Sequence, residues 1–392
     1  MKKQNTHRFF RVQFLRVSWL KDHHLFFALC LCAIVVILSA TAVKAWKEHV
    51  HAQDVIEEDV VNTDENTNQA VQKKKKEKKE ESVVPTELPR ALDGVVVPAD
   101  ASNATPICVM IENLFSTQVR PQYGLSEASV VYEIIVEGGI TRFMAVFPGG
   151  NRIDMIGPVR SARDTYLEFV SEYNCAYFHA GGSDTALKAL YTMHLRHVDG
   201  LIEPKYFWRE RSRYAPHNFF TSMDNLVNAV RNHHWYDEGA PIYTQWTFTD
   251  ALTPVQKESA TQPVATHIDI PFGYGYDVDY SYDEASNTYL RQNAHVAHMD
   301  AITDAQIAPK NIIIQHVAEG AAISGKGRIN WPVTGNGAVE IFHDGRVYIG
   351  TWVKKDRLSR TEFFDLEGKP IPLTRGQSWV EIVPPHITSS YN

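Results

Sequence analysis

The chain has 392 residues, with 39 Lys and Arg against 46 Asp and Glu and a formal net charge of −7. From Ser82 onward 25 Lys and Arg face 35 Asp and Glu, a net −10. That balance argues against nucleic acid as a partner, because phosphate binding needs net basic faces.

The N-terminus has a different character. Its first 21 residues carry six basic residues (Lys2, Lys3, Arg8, Arg11, Arg16, Lys21) and no acidic one. Leu25 to Val43 is then apolar apart from Ser39 and Thr41. As a helix this run would be roughly 28 Å long, close to the thickness of a bilayer core. The basic flank places residues 1–24 in the cytoplasm and everything after Val43 outside, at the cell membrane. Residues 25–43 read either as an uncleaved anchor or as a cleaved signal peptide ending near Ala40-Thr41-Ala42, and the length of the run favours the anchor. Cys30 and Cys32 each follow a leucine, where lipoprotein signals carry a small residue. Residues 44–90 read as a charged, disordered linker, acidic from Asp54 to Glu65 and lysine-rich from Lys73 to Glu81, with almost nothing to bury.

The remainder is long enough for two domains, expected at 91–255 and 264–392. In the first, Ile107 to Ile111, Val130 to Val136 and Arg142 to Phe147 are strand-like apolar runs, the last closed by Pro148-Gly149-Gly150. Thr165 to Tyr173 has helical spacing, and Cys175 to His179 is a short strand. Ser183 or Asp184 can cap a helix through Leu190, and Thr221 or Ser222 one from Met223 to Val230. A domain change is expected near Pro254 to Pro263. Beyond it the pattern is mostly an antiparallel β meander with one helix at most, near Thr303. Its strands are expected at 267–270, 289–291, 311–317, 338–342, 347–352, 362–364 and 379–383, with hairpin chemistry at Asp344-Gly345. Cys108 and Cys175 sit inside apolar runs and read as two buried thiols, with a disulfide as the alternative outside the cell.

Charged groups gather between Val130 and Ser183. Glu133 and Glu137, four apart on a strand, would share a face, with Arg142 on the return strand. The functional reading is a carboxylate at a cleft edge; the structural one is a charge pair bracing a hairpin. Arg160 and Arg163, three apart, would share a face at a helix start, where they oppose the macrodipole unless an anion or a carboxylate meets them. His179-Ala180-Gly181-Gly182-Ser183 has the form of an anion cradle at a helix N-terminus, without the Lys and spacing of a nucleotide loop. His179 is a candidate base for Ser183, or a histidine closing a strand. Pro216-His217-Asn218 ends a loop rich in arginine. Tyr276, Asp277, Asp279, Asp283, His295 and His298 offer hard ligands at no metal spacing, so no metal and no cofactor are expected.

Taken together, Arg120-Pro121-Gln122, Gly124-Leu125, Glu127-Ala128, Tyr132-Glu133, Glu137 to Arg142, Gly157 to Arg163, His179 to Ser183 and Ala215 to Asn218 resemble the N-terminal domain of the YerB-like family. Asn311 to Gln315, Gly350-Thr351-Trp352 and Gly376 to Pro384 resemble its C-terminal domain. The resemblance covers about residues 95–390. It implies a bacterial cell-envelope protein, often a lipoprotein, with an α+β layered sandwich of two sheets plus helices. It carries over no catalytic residues.

The expectation is therefore a membrane-anchored, non-enzymatic envelope protein. It would bind an anionic ligand, such as a cell-wall polymer or peptide, through Glu133, Glu137, Arg142, Arg160, Arg163, His179, Gly181, Gly182, Ser183, His217 and Asn218. The rival is an envelope-polymer hydrolase or transferase using Glu133 or Glu137 with His179 or His217 as acid and base.

Overall fold

A computed structural model describes residues 85–236, 243–324 and 327–392. The expected anchor at 25–43, and the linker up to residue 84, lie outside the described residues. Among the described residues no helix is long and apolar enough to cross a membrane.

The first half supplies β1 (Ile107–Glu112), β2 (Val130–Ile135), β3 (Thr141–Phe147), β4 (Ala176–His179) and β5 (His197–Asp199). Every residue of β1, β2, β3 and β4 is buried. Their unbroken apolar runs are what strands covered on both faces require. The described α-helices are α1 (Asp164–Tyr173), α2 (Asp184–Thr192), α3 (Met223–Asn232) and α4 (Pro254–Ser259). Asn174, in the left-handed region at φ 45°, closes α1, as a C-terminal cap commonly does. Ser183 and Ser222 cap α2 and α3 by accepting from the backbone N–H three residues on.

The second half supplies β6 (His267–Ile270), β7 (Val278–Asp283), β8 (Thr288–Asn293), β9 (Val296–Ala297), β10 (Asn311–His316), β11 (Gly335–His343), β12 (Arg346–Lys354), β13 (Glu362–Asp365), β14 (Ser378–Val383) and β15 (Ser390–Tyr391). Asp344 and Gly345 join β11 to β12 with φ of 53° and 71°, the positive pair of a tight hairpin turn. A Cβ on Gly345 would stand 2.7 Å from the Tyr282 ring.

Two sheets organise the chain. The larger has ten strands in the order β13-β12-β11-β10-β14-β2-β3-β1-β4-β5, and the smaller five in the order β9-β8-β7-β6-β15. The expected meander holds for the hairpins of the second half but fails at β14. That strand runs parallel to β10 on one side and parallel to β2 on the other. Trp379 therefore lies level with Val131, and both sequence halves build one sheet. A parallel neighbour requires a crossover, which hairpin signals do not announce. Near Thr303, where one helix at most was expected, the chain makes a turn between two short paired segments, Met299–Asp300 and Ala305–Gln306.

Buried charge ties the halves together. Glu172, at the end of α1, accepts from Arg360 Nη1 at 2.7 Å, Lys354 Nζ at 3.1 Å and Tyr132 Oη at 3.0 Å. All are removed from solvent, so each charge depends on its partners. Cys108 and Cys175 form a disulfide, with Cα atoms 5.9 Å apart. This corrects the buried-thiol reading. Parallel pairing of β1 and β4 sets Cys108 beside Tyr177, which brings the residue preceding β4 within reach.

Candidate functional site

The strands β1, β2 and β4 end, and β3 begins, at one edge of the large sheet, and most of the flagged charges collect there. Glu112 closes β1, Arg142 lies opposite it in register on β3, and Glu137 follows the end of β2.

Two groups form. In one, Glu137 is gripped by Arg163, whose Nε donates to Oε2 at 2.7 Å while Nη2 donates to Oε1, and Arg142 Nη2 adds a contact at 3.4 Å. Burial would raise the Glu137 carboxyl. The Arg163 hydrogen bond and the charges of Arg142 and Arg163 win, and hold it at about 2. Arg142 is lowered to about 10 by its burial and by the like charges of Arg163 and Arg160, with Glu137 opposing. Its Nη1 donates to the Ser161 carbonyl at 2.9 Å. In the other group, Glu112 meets Arg160 Nε at 3.1 Å and His217 Nδ1 at 3.0 Å. Arg160 is the most open of the three arginines, with a quarter of its side chain exposed.

The helix-start geometry expected for the arginines holds only in part. Arg163 occupies the N-cap position of α1, whereas Arg160 lies before it in extended chain, donating its N–H to Met110. The two are held by separate carboxylates, Arg163 by Glu137 and Arg160 by Glu112, rather than set on a shared helical face.

The glycine loop turns its donors inward. Gly181 N–H goes to Asp199 at 2.8 Å, Ser183 N–H to the Ala162 carbonyl at 3.2 Å, and Ala186 N–H to Ser183 Oγ at 3.2 Å. Gly182 packs against Ala162 and Leu187. Ser183 Oγ donates to Asp164 at 2.9 Å, so it is not paired with His179. His179 donates from Nδ1 to the Gly181 carbonyl at 2.8 Å and meets His197 through Nε2 at 3.1 Å. Burial lowers it to about 4, which keeps the ring neutral. It closes the strand rather than serving as a base for Ser183. Asn218 braces the 209–218 loop, accepting from Arg209 and donating to the carbonyls of Glu210 and Arg213.

Glu133 stands apart from Glu137, because β2 ends at Ile135 and the alternation stops. It is fully buried, paired with Arg291 and accepting from Asn113 Nδ2 at 3.2 Å. Arg291 lies over the Trp379 ring at 4.3 Å. Burial, and then the Glu133 charge, push neighbouring Glu381 well above the usual carboxylate range. Sequence reasoning missed Glu112, Arg291 and Glu381. Only Glu112 carried a local signal: like Glu137, it terminates an apolar run. Of the groups proposed as hard ligands, His295 does meet Asp277 and Asp279, at 3.6 and 3.1 Å, whereas His298 lies apart with Nε2 on Gln122 at 2.9 Å. Among the described residues no group of three or more His, Cys, Asp or Glu is placed to hold a metal ion.

The strand-end group thus sets three guanidiniums and an imidazole against two carboxylates. No serine hydroxyl in it faces a base: Ser161 Oγ donates to the Ala180 carbonyl.

Comparison with known proteins adds identity to this geometry. Residues 92–236 match the model of the protein of unknown function (DUF3048) N-terminal domain, and residues 268–380 that of its C-terminal domain. A curated Bacillus subtilis (strain 168) protein, named "Putative lipoprotein YerB", is 28% identical over 307 residues, spanning 76% of this chain and 87% of that one. The crystal structure of YerB from Bacillus subtilis superposes with a TM-score of 0.67 at 27% identity, covering 77% of this chain and 99% of that one.

Proposed function

This chain belongs to the DUF3048 family, to which both of its domain matches point, and from that premise we propose an extracytoplasmic envelope protein that binds an anionic polymer or peptide without transforming it. The carrying observation is the charge excess at the strand ends. Among the described residues the carboxylates paired with Arg142, Arg160 and Arg163 are Glu112 and Glu137, and Arg160 remains partly open. An incoming carboxylate or phosphate would relieve the crowding of three guanidiniums. The Cys108–Cys175 disulfide supports an oxidising compartment. The relative's description as a lipoprotein supports attachment to a membrane. In this chain the attachment would be the apolar run 25–43, with the N-terminus cytoplasmic.

Acid–base hydrolysis has less support. A carboxyl held at about 2 and a histidine lowered to about 4 are both poor proton carriers near neutrality. Titration of the full-length protein with a phosphate-bearing wall polymer and with acidic wall peptides tests the binding reading. Affinity should fall with salt, and fall about tenfold or more in Arg160→Ala/Arg163→Ala. An unchanged double variant would remove the arginines from the site.

A further inference from the structure

A second concavity lies away from the strand-end arginines. It is a cleft of about 450 Å³ between the loop after β1 (Phe115 to Pro121) and the β8–β9 hairpin with the residues that follow (Asn293 to Met299). That volume suits a small ligand. The walls are mostly apolar, and large apolar side chains stand exposed around the mouth: Phe115 at 48%, Val296 at 61% and Tyr274 at 90%. Phe115 and Tyr274 meet edge to face at 5.8 Å.

Two polar groups lining this apolar space are unspent. Asn293 is 1% exposed, yet among the described residues neither Oδ1 nor Nδ2 has a hydrogen-bond partner. Arg120 is anchored by Nε to Asn113 Oδ1 and by Nη2 to the Asn113 carbonyl, both at 2.9 Å, and lies over the Phe115 and Tyr276 rings. Its Nη1 is buried without a partner. Buried polar groups are nearly always paired, and orphans gathered in one cleft ask what pairs them. His298, also in the wall, is committed to Arg291 and Gln122 and stays neutral.

The orphan atoms specify a partner. A side-chain amide offers one acceptor and two donors side by side. An extended peptide residue presents its N–H and C=O on the same side, as in a strand pair, and matches that arrangement. A guanidinium N–H with no partner matches a carboxylate oxygen. We propose that this cleft binds a short extended peptide, its backbone on Asn293, its carboxylate on Arg120 and an apolar side chain in the cavity. The site shares no residue with the strand-end group.

The test equilibrates full-length protein in lipid nanodiscs with a library of N-acetylated dipeptides bearing free C-termini, and reads retained members by mass spectrometry. Decanoate is run in parallel. Members with a large apolar residue should be retained, and their methyl esters should not. Asn293→Leu should weaken retention about tenfold or more while leaving the melting temperature unchanged or raised, since it replaces an unpaired buried amide by a hydrocarbon of similar size. Val296→Trp, at the exposed mouth, should block retention without loss of fold, and Arg160→Ala should leave it unchanged. Retention of no library member, retention of decanoate alone, equal retention in Asn293→Leu and Val296→Trp, or loss in Arg160→Ala would each overturn the proposal.

Discussion

The strand-end arginines and the Arg120–Asn293 cleft are built on opposite terms. At the strand ends, Glu137 and Glu112 each hold arginine directly, and the Gly181 and Ser183 N–H groups go to Asp199 and the Ala162 carbonyl. In the cleft, a fully buried amide and a buried guanidinium nitrogen have no hydrogen-bond partner among the described residues. The difference teaches that density of charged residues along a chain is not the same as availability. Charges brought together by strand ends are largely taken up by one another, leaving one guanidinium in excess over the two carboxylates, whereas an orphaned group in an apolar wall is unspent binding capacity.

The largest expected effect lies behind the cleft. Glu133→Ala would strand the buried Arg291 charge and should cost roughly 3–5 kcal/mol, read by chemical denaturation. If the cost is under about 1 kcal/mol, Arg291 has another counter-charge, and the cleft wall is less dependent on this pair than its geometry implies. Next comes the disulfide, which joins β1 and β4 near their starts, away from the strand-end group. Replacing both Cys108 and Cys175 by Ser should cost roughly 2–4 kcal/mol, because the bridge closes a long loop. Equal denaturation midpoints for oxidised and reduced protein would contradict this.

A smaller effect separates the two regions by pH. Glu137 is held at about 2, below its ordinary value of 4.5. A depressed carboxyl adds stability above pH 4.5 that is lost as pH falls toward about 2. With solvent screening the contribution is about 1–2 kcal/mol. Melting curves across that window should show the wild-type advantage disappear, and Glu137→Gln should flatten the dependence. A curve of the same shape in Glu137→Gln would place the titration elsewhere. The smallest expected effect is Asn293→Leu, neutral or stabilising by up to about 1 kcal/mol. A loss of 2 kcal/mol or more would mean that the amide has a structural partner.

Much of the local structure was legible from the residues. The apolar runs at 107–111 and 130–136, the serine caps of α2 and α3, and the Asp344-Gly345 hairpin depend on neighbours a few positions away. The candidate site was legible in its membership but not its partnerships. Glu133 and Glu137 looked alike in sequence, yet one lies inside the sheet on Arg291 and the other beyond the strand end on Arg163. The cleft left little trace, since Arg120 and Asn293 are 173 residues apart in the chain.

The sequence by itself determined the periodicities, the turns, the acidic balance of the region after Ser82 and the motifs that mark the family, because each is written in local residue order. Only the tertiary structure decided that β14 enters between β10 and β2, that Cys108 meets Cys175, and which charges cancel. Those outcomes follow from long-range pairing and burial. There, the energy of a charge or an amide is set by the groups packed around it, not by its neighbours along the chain.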